Sequence, residues 1–308
     1  MVEKKGAAPR PIPPRKGEGA TASGEARKAQ SRIVVGLDTN SVAREALSLA
    51  ARLAASVDAR LKGVFVEDEN LLSLCGLPFA REISFSGEVR QIDHERMLRA
   101  MRAQAETARR VLQRVASEAH VDWSFDVARG RPLESLAACA TSEDTVVFRS
   151  PEGTAREVGR AVRSATHEVR ADVLLVARGV GAGGLFGGTS SRMAAPGVVA
   201  QVARPIAAAD DGSSAGQACS AFAETLAARS GLPFYRLALV GRDMAEIAAA
   251  ARRANAGLIV INAERLGSDE DAARLSAAAG CPLLLLGAGR ELRGSTISTE
   301  NQQRENGR

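Results

Sequence analysis

Short apolar runs alternate with longer amphipathic stretches along most of the chain. The first run, Ile33-Val34-Val35, is β-branched and uninterrupted, as expected for a strand buried on both faces of a parallel sheet. Comparable runs recur at 60–66, 121–128, 145–148 and 172–176. Apolar residues at helical spacing fill the intervals, most clearly between Leu98 and Val115. Strands separated by helices predict right-handed βαβ crossovers and a parallel sheet.

The first run ends at an acid, Asp38, which precedes a helix predicted over residues 43–55. A carboxylate at the C-terminal end of a parallel strand lies where open α/β sheets bind their ligands. A helix N-cap also accounts for an acid at this position without any ligand. The sequence leaves both roles of Asp38 open.

The opening pattern returns after a break in composition. Residues 179–197 are rich in glycine and predict a linker, followed by a strand over 205–209 that ends at Asp210-Asp211-Gly212-Ser213. Aligning Asp211 with Asp38 superposes the apolar positions of the next helix, which indicates an internal repeat. In this alignment the strand at 237–240 matches the one that leads into Gly130. The second copy has no room for the long loop and amphipathic helix of the first.

Composition changes this interpretation only at the chain ends. The net charge is +5, but residues 1–31 hold seven basic and three acidic residues, so the remainder is close to neutral. That balance gives no argument for a nucleic-acid surface. We predict mobile tails at 1–31 and 289–308, the first able to make only a weak contact with an anionic partner.

The remaining chemistry-bearing residues exclude several classes of protein. Four scattered cysteines and three distant histidines match no metal-ligand spacing and no disulfide framework. No apolar stretch approaches the roughly 20 residues needed to span a bilayer, and no secretory signal is recognisable. We therefore expect a cytoplasmic protein without a membrane span or a metal site.

Several segments resemble the universal stress protein family in its tandem form, with a shortened second domain. The resemblance covers about residues 32–288 and rests on four segments, namely Ile33–Asp38, Asp211-Gly212-Ser213, Gly130-Arg131-Pro132 and Gly241-Arg242-Asp243. It implies an α/β fold with two open parallel-sheet, adenine-nucleotide-hydrolase-like (Rossmann-like) domains in tandem. These would occupy residues 32–178 and 198–288 and pair through their last strands.

Members of that family that bind ATP imply where a nucleotide would lie in this chain. The resemblance places Asp38, Val64 and Val66 on the adenosine side, Gly130 at the turn after the third strand, and Gly153-Thr154 at the phosphates. Glycines let backbone N–H groups approach phosphate oxygens, and a helix N-terminus adds a favourable dipole.

The phosphate side departs from the family pattern in both copies. In members that bind ATP, the loop after the fourth strand has two spaced glycines and then Gly-Ser or Gly-Thr. Residues 149–154 read Arg-Ser-Pro-Glu-Gly-Thr, which keeps the final Gly-Thr but lacks the preceding glycines and places Glu152 near a triphosphate. Residues 261–268 also lack a spaced glycine pair. An alternative alignment makes residues 179–190 the phosphate loop, but Pro196 would then interrupt the next helix and residues 145–170 would be an insertion.

Two functions follow from these observations. The first is a non-catalytic stress-response protein with reduced or lost nucleotide binding and no required cofactor, acting through a protein partner or as a homodimer. The second is an ATP-binding switch that uses the first domain. No Ser-His-Asp set, Walker loop or carboxylate pair supports an enzyme.

Overall fold

The computed structural model describes residues 31–37, 41–75, 77, 79–83, 86–149, 154–176, 203–238 and 243–287, except for the side chains of 41–43. Both predicted tails, the glycine-rich segment 179–197 and residues 241–242 lie outside these ranges. The first half contains, in chain order, β1 (Arg32–Leu37), α1 (Ser41–Val57), β2 (Arg60–Asp68), α2 (Glu69–Leu74), β3 (Arg81–Ile83), β4 (Val89–Gln91), α3 (His94–Ala119), β5 (Trp123–Gly130), α4 (Pro132–Ala138), β6 (Thr145–Arg149), α5 (Ala155–Arg163) and β7 (Asp172–Val176). A π-helical turn, Ser164–Glu168, extends α5.

The second half is shorter. It contains β8 (Ile206–Asp210), α6 (Ser214–Ser230), β9 (Phe234–Ala238), α7 (Met244–Arg253), β10 (Leu258–Asn262), α8 (Asp271–Ala279) and β11 (Leu283–Leu286). A single 3-10 turn, Ala263–Arg265, follows β10. None of the helices in the described ranges is both long and apolar enough to cross a membrane.

The two halves share one nine-stranded sheet in the order β5-β2-β1-β6-β7-β11-β10-β8-β9. Neighbouring strands within each half are parallel, as the alternation of strands and helices predicts. The halves join through an antiparallel pair between β7 and β11, where Leu174 lies opposite Leu284. The predicted α/β class is therefore confirmed, and the last strands of the two halves pair.

The sheet position of β9 differs from the sequence alignment. The alignment matched this strand with β5, but β9 lies beside β8, with Asp210 opposite Ala238, as β2 lies beside β1. The second half has no counterpart of α3. The connection through α6 therefore leads only to the strand position next to β8. The helix that follows β9, α7, resembles α4.

The core lies on both faces of the sheet because neighbouring residues of a buried strand point in opposite directions. One face is covered by α1, α3 and α6, and Met101 of α3 is buried there, as expected for a core methionine. The other face is covered by α4, α5, α7 and α8. Alanine supplies much of the helix surface in both layers, which lets the helices approach the strands closely.

The long excursion after β2 is only partly as expected. The apolar residues at 71–74 and 77–79 predict a loop or short helix that packs over other parts of the chain, and α2 with the β3–β4 hairpin occupies this segment. Leu72 packs against the core, but Leu71, Leu74, Leu77 and Phe79 are exposed. The packing expectation is wrong for these four side chains, because α2 is a short helix and the hairpin stands outside the main sheet.

Candidate nucleotide site

The turn after β5 is brought close to the N-terminus of α5 in the first half. Gly130 ends β5 with a φ of +148°, and a Cβ there would meet Ser135 Oγ at 2.5 Å, so glycine is required. Arg131 follows, and its charge helps to lower the pKa of Glu157 in the first turn of α5. The predicted turn therefore leads into α4, which packs in the same core layer as α5, the predicted phosphate-binding helix.

The N-terminus of α5 is capped by the chain itself. The Thr154 N–H donates to Glu157 Oε2 at 2.7 Å, and the Glu157 N–H donates to Thr154 Oγ1 at 3.2 Å. The hydrogen bond from the Thr154 backbone is the main cause that lowers the pKa of Glu157. This capping box places a carboxylate at the position where the family resemblance puts a phosphate.

A partly similar arrangement precedes α8 in the second half, where a carboxylate accepts backbone N–H groups, although the N-cap residue Glu270 makes no side-chain capping hydrogen bond. The N–H groups of Gly267 and Ser268 both donate to Asp271 Oδ2 at 2.8 Å, and Ser268 Oγ donates to Asp271 Oδ1 at 2.6 Å. Burial raises the pKa of Asp271, but these hydrogen bonds outweigh it and the pKa is lowered. The backbone N–H groups that a phosphate would need are already satisfied by a carboxylate.

The acid that the alignment equates with Asp38 is also engaged. Asp211 Oδ2 accepts from Arg265 Nη1 at 2.5 Å, and Asp211 Oδ1 accepts from Ser213 N at 3.1 Å and from Ser213 Oγ at 2.5 Å. The hydroxyl hydrogen bond from Ser213 is the main cause that lowers the pKa of Asp211, and Arg265 contributes to it. Arg265 comes from the loop after β10 and is only 8% exposed. Its guanidinium therefore holds Asp211 toward the segment where phosphates would lie.

Comparisons with known proteins come from structure alone, since no family model matches the chain and no curated protein matches its sequence. A universal stress protein from Archaeoglobus fulgidus DSM 4304 matches 83% of this chain and 96% of its own, with 11% identity and a TM-score of 0.53. The chain has the universal stress protein fold.

Two further structures match about half of this chain. A protein from the universal stress protein family of Burkholderia pseudomallei is 25% identical over 48% of this chain and 96% of its own, with a TM-score of 0.31. The universal stress protein from Archaeoglobus fulgidus in complex with dAMP is 12% identical over 48% of this chain and 96% of its own, with a TM-score of 0.29.

The six site residues predicted for a universal stress protein are distributed unevenly. Val64 is fully buried in the core beneath α4, and Val66 packs partly buried against the same cluster. Gly130 and Thr154 lie in the turn and the helix start described above. Asp38 and Gly153 lie outside the described residues, so the roles of these two residues stay predictions.

Three residues that matter here were absent from the predicted site. Glu157 and Asp271 could have been found, because Thr154-x-x-Glu157 and Ser268-x-x-Asp271 are capping-box patterns in the sequence. Arg265 carries no comparable signal, since its partner Asp211 is 54 residues away. Among the described residues, no group of three or more His, Cys, Asp and Glu side chains could hold a metal ion.

We expect Asp271→Ala to lower the free energy of unfolding by about 1 kcal/mol at neutral pH, because three hydrogen bonds at the start of α8 are lost. The folded pKa of Asp271 lies below its unfolded value, so this stabilisation is complete above about pH 4 and is lost as pH falls through the folded pKa. Urea unfolding at neutral and acidic pH measures the difference between the two proteins.

Glu224→Ala serves as a control, since Glu224 is an exposed acid in the middle of α6. This variant should differ little from the wild type at either pH. An Asp271→Ala difference that stays the same in acid would contradict a role for the ionised carboxylate.

Proposed function

We propose that this chain is a universal stress protein that acts as a non-catalytic regulatory protein of the stress response, with nucleotide binding reduced or lost. It requires no cofactor and acts in the cytoplasm through a protein partner or as a homodimer. The proposal rests on one observation: side chains of the chain itself occupy the second-half site. Arg265 donates a hydrogen bond to Asp211, and Asp271 accepts hydrogen bonds from the N–H groups of Gly267 and Ser268.

Electrostatics supports this reduction of nucleotide binding. A phosphate arriving at α8 would have to displace Asp271, and a phosphate arriving at α5 would meet the carboxylate of Glu157. Like charges at one helix N-terminus compete for the same dipole and the same N–H groups. Among the described residues, the N–H groups of Thr154, Gly267 and Ser268 are therefore already satisfied by carboxylates of the chain itself.

A second candidate function is an ATP-binding switch in the first half. It is favoured by Gly130, which lies at the turn that resembles the family's and has a positive φ, and by Thr154, which is exposed at the start of α5. In this alternative, Asp38, Val64 and Val66 lie on the adenosine side and Gly153 with Thr154 at the phosphates. Glu157 would then have to turn away from the Thr154 N–H when ATP binds.

Isothermal titration of the full chain with magnesium ATP separates the two functions. We expect no binding tighter than about 1 mM for the wild type, and the same result for Asp38→Ala. An incubation with ATP should release no ADP above a protein-free blank, as expected for a non-catalytic protein.

A micromolar dissociation constant would contradict the first function. If that binding is lost in Asp38→Ala and kept in Asp211→Ala, the ATP switch of the first half is established. Asp211→Ala is the matched control because it removes the equivalent acid of the second half, which is already paired with Arg265.

A further inference from the structure

The β3–β4 hairpin forms a two-stranded sheet of its own, separate from the nine-stranded sheet. Each strand has three residues, and all six are exposed. A lone two-stranded hairpin is marginally stable in water, and its outer edges present backbone N–H and C=O groups to solvent. In the described part of the chain, no third strand pairs with β4.

One face of the hairpin is apolar where the strands face each other. Ile83 lies opposite Val89, and these residues are 71% and 57% exposed. Phe79, just before β3, is 75% exposed. An exposed apolar pair beside an unpaired strand edge is a surface on which a further strand could pair.

The other face carries charges of alternating sign. Glu82 lies opposite Arg90 across the hairpin, and Arg90 also forms an ion pair with Glu88, the residue just before β4. From Glu88 into β4 the order is Glu88, Val89, Arg90, which is acid, apolar, base. This short sequence is its own complement when it is reversed.

We propose that β4 pairs antiparallel with β4 of a second copy of this chain, centred on Val89. In this register Val89 faces Val89 of the second copy, and Glu88 faces Arg90 of the second copy in both directions. One face of the four-stranded sheet then carries Ile83 and Val89 of both copies in a row. On the other face, Glu82 and Arg90 of one copy lie in a row with Glu88 of the second copy, so that the charge again alternates.

The symmetry of this contact makes it a closed dimer. Both copies use the same surface, so the interface is isologous and ends with two subunits. It is distinct from the β7–β11 pair, which joins the two halves within one chain. The proposal goes beyond the regulatory function above and does not depend on whether ATP binds.

Charge reversal with a mixing step tests the register. In a Glu88→Arg variant, position 88 and position 90 are both basic, and in an Arg90→Glu variant both are acidic, so each repels a second copy of itself. We expect the wild type to dimerise in sedimentation equilibrium and each variant alone to associate at least tenfold more weakly. An equimolar mixture of the two variants should dimerise as the wild type does, because every facing pair is then opposite in charge.

Arg81→Glu is the matched control for this series. Arg81 carries the same charge on the same hairpin but lies on β3, opposite Gln91 and away from the second copy. This variant should dimerise normally. A wild type that is monomeric, or single reversals that dimerise unchanged, or a mixture that fails to recover, would each overturn the proposal.

Cysteine crosslinking provides a test that does not depend on charge. Facing residues of an antiparallel pair have Cα atoms about 4.5–5.5 Å apart, which suits a disulfide. In a background in which the half-buried Cys75 and Cys139 are replaced by serine, Val89→Cys should form an intermolecular disulfide under mild oxidation. Gln91→Cys, two residues away on the same strand, should crosslink much more slowly. Equal rates for the two variants, or no crosslink at Val89→Cys, would refute the register.

Discussion

We expect Leu284→Ala to lower the free energy of unfolding by about 3 kcal/mol. Leu284 is 1% exposed and lies opposite Leu174 in the antiparallel pair that joins the halves. Removing its side chain leaves a cavity between β11 and the helices of one face, which the closely packed alanine-rich layer cannot refill. Urea unfolding followed by circular dichroism measures the change.

Tryptophan fluorescence provides a second measurement of unfolding, because the tryptophan and the cavity lie in different halves. Trp123, the only tryptophan, lies in β5 of the first half, whereas Leu284 lies in the second. Because one sheet runs through both halves, we expect tryptophan fluorescence and circular dichroism to shift together. A shift in circular dichroism with unchanged fluorescence would show that the halves unfold independently.

Two variants complete the comparison. Leu174→Ala should cost a similar free energy, and the double variant should cost less than the two single effects combined, because both side chains line the same contact. Leu71→Ala serves as the control, since Leu71 is 44% exposed and its truncation should change stability by less than about 0.5 kcal/mol.

We expect Gly159→Ala to destabilise the protein by about 2 kcal/mol, although an alanine normally stabilises a helix relative to glycine. Gly159 lies within α5, and a Cβ there would overlap the backbone carbonyl oxygen of Asp269, just before α8. The same junction holds an ion pair between Arg163 Nε and Asp269 Oδ1 at 2.7 Å. The added methyl group must push the first half away from the second at this point.

Differential scanning calorimetry measures the effect as a lower melting temperature. Gly267→Ala is the control, because a Cβ at Gly267 meets only Asp271 Oδ2 at an ordinary 3.5 Å. That control should stay within about 0.5 kcal/mol of the wild type. A Gly159→Ala protein that melts at a higher temperature would contradict the close approach of α5 to the loop before α8.

Much of the fold could be predicted because the signals are local. The β-branched run 33–35 became β1, the Ala-rich stretch after it became α1, and the apolar spacing between Leu98 and Val115 lies within α3. The exposed apolar side chains of the excursion, such as Phe79, could not be predicted, because a local pattern does not tell whether anything lies above it. The position of β9 was missed for a related reason: strand order depends on crossover length more than on strand composition.

The candidate site was less predictable than the fold. The resemblance placed Gly130 at a turn of the nucleotide site, and the structure adds that glycine is needed there because its φ is positive. It also placed Val64 on the adenosine side, and this side chain is buried beneath α4. Contact of either residue with a nucleotide stays a prediction. The role of Asp38 stays a prediction.

The sequence by itself determined most of the order of strands and helices along the chain and the acid of the α5 capping box, because periodicity and capping act over a few residues. Only the tertiary structure decided that Arg265 meets Asp211. These residues are 54 positions apart and come together because β8 and β10 are neighbours in the sheet, so that the chain segments after both strands lie at the same edge. A contact of that kind depends on strand order, which no local pattern encodes.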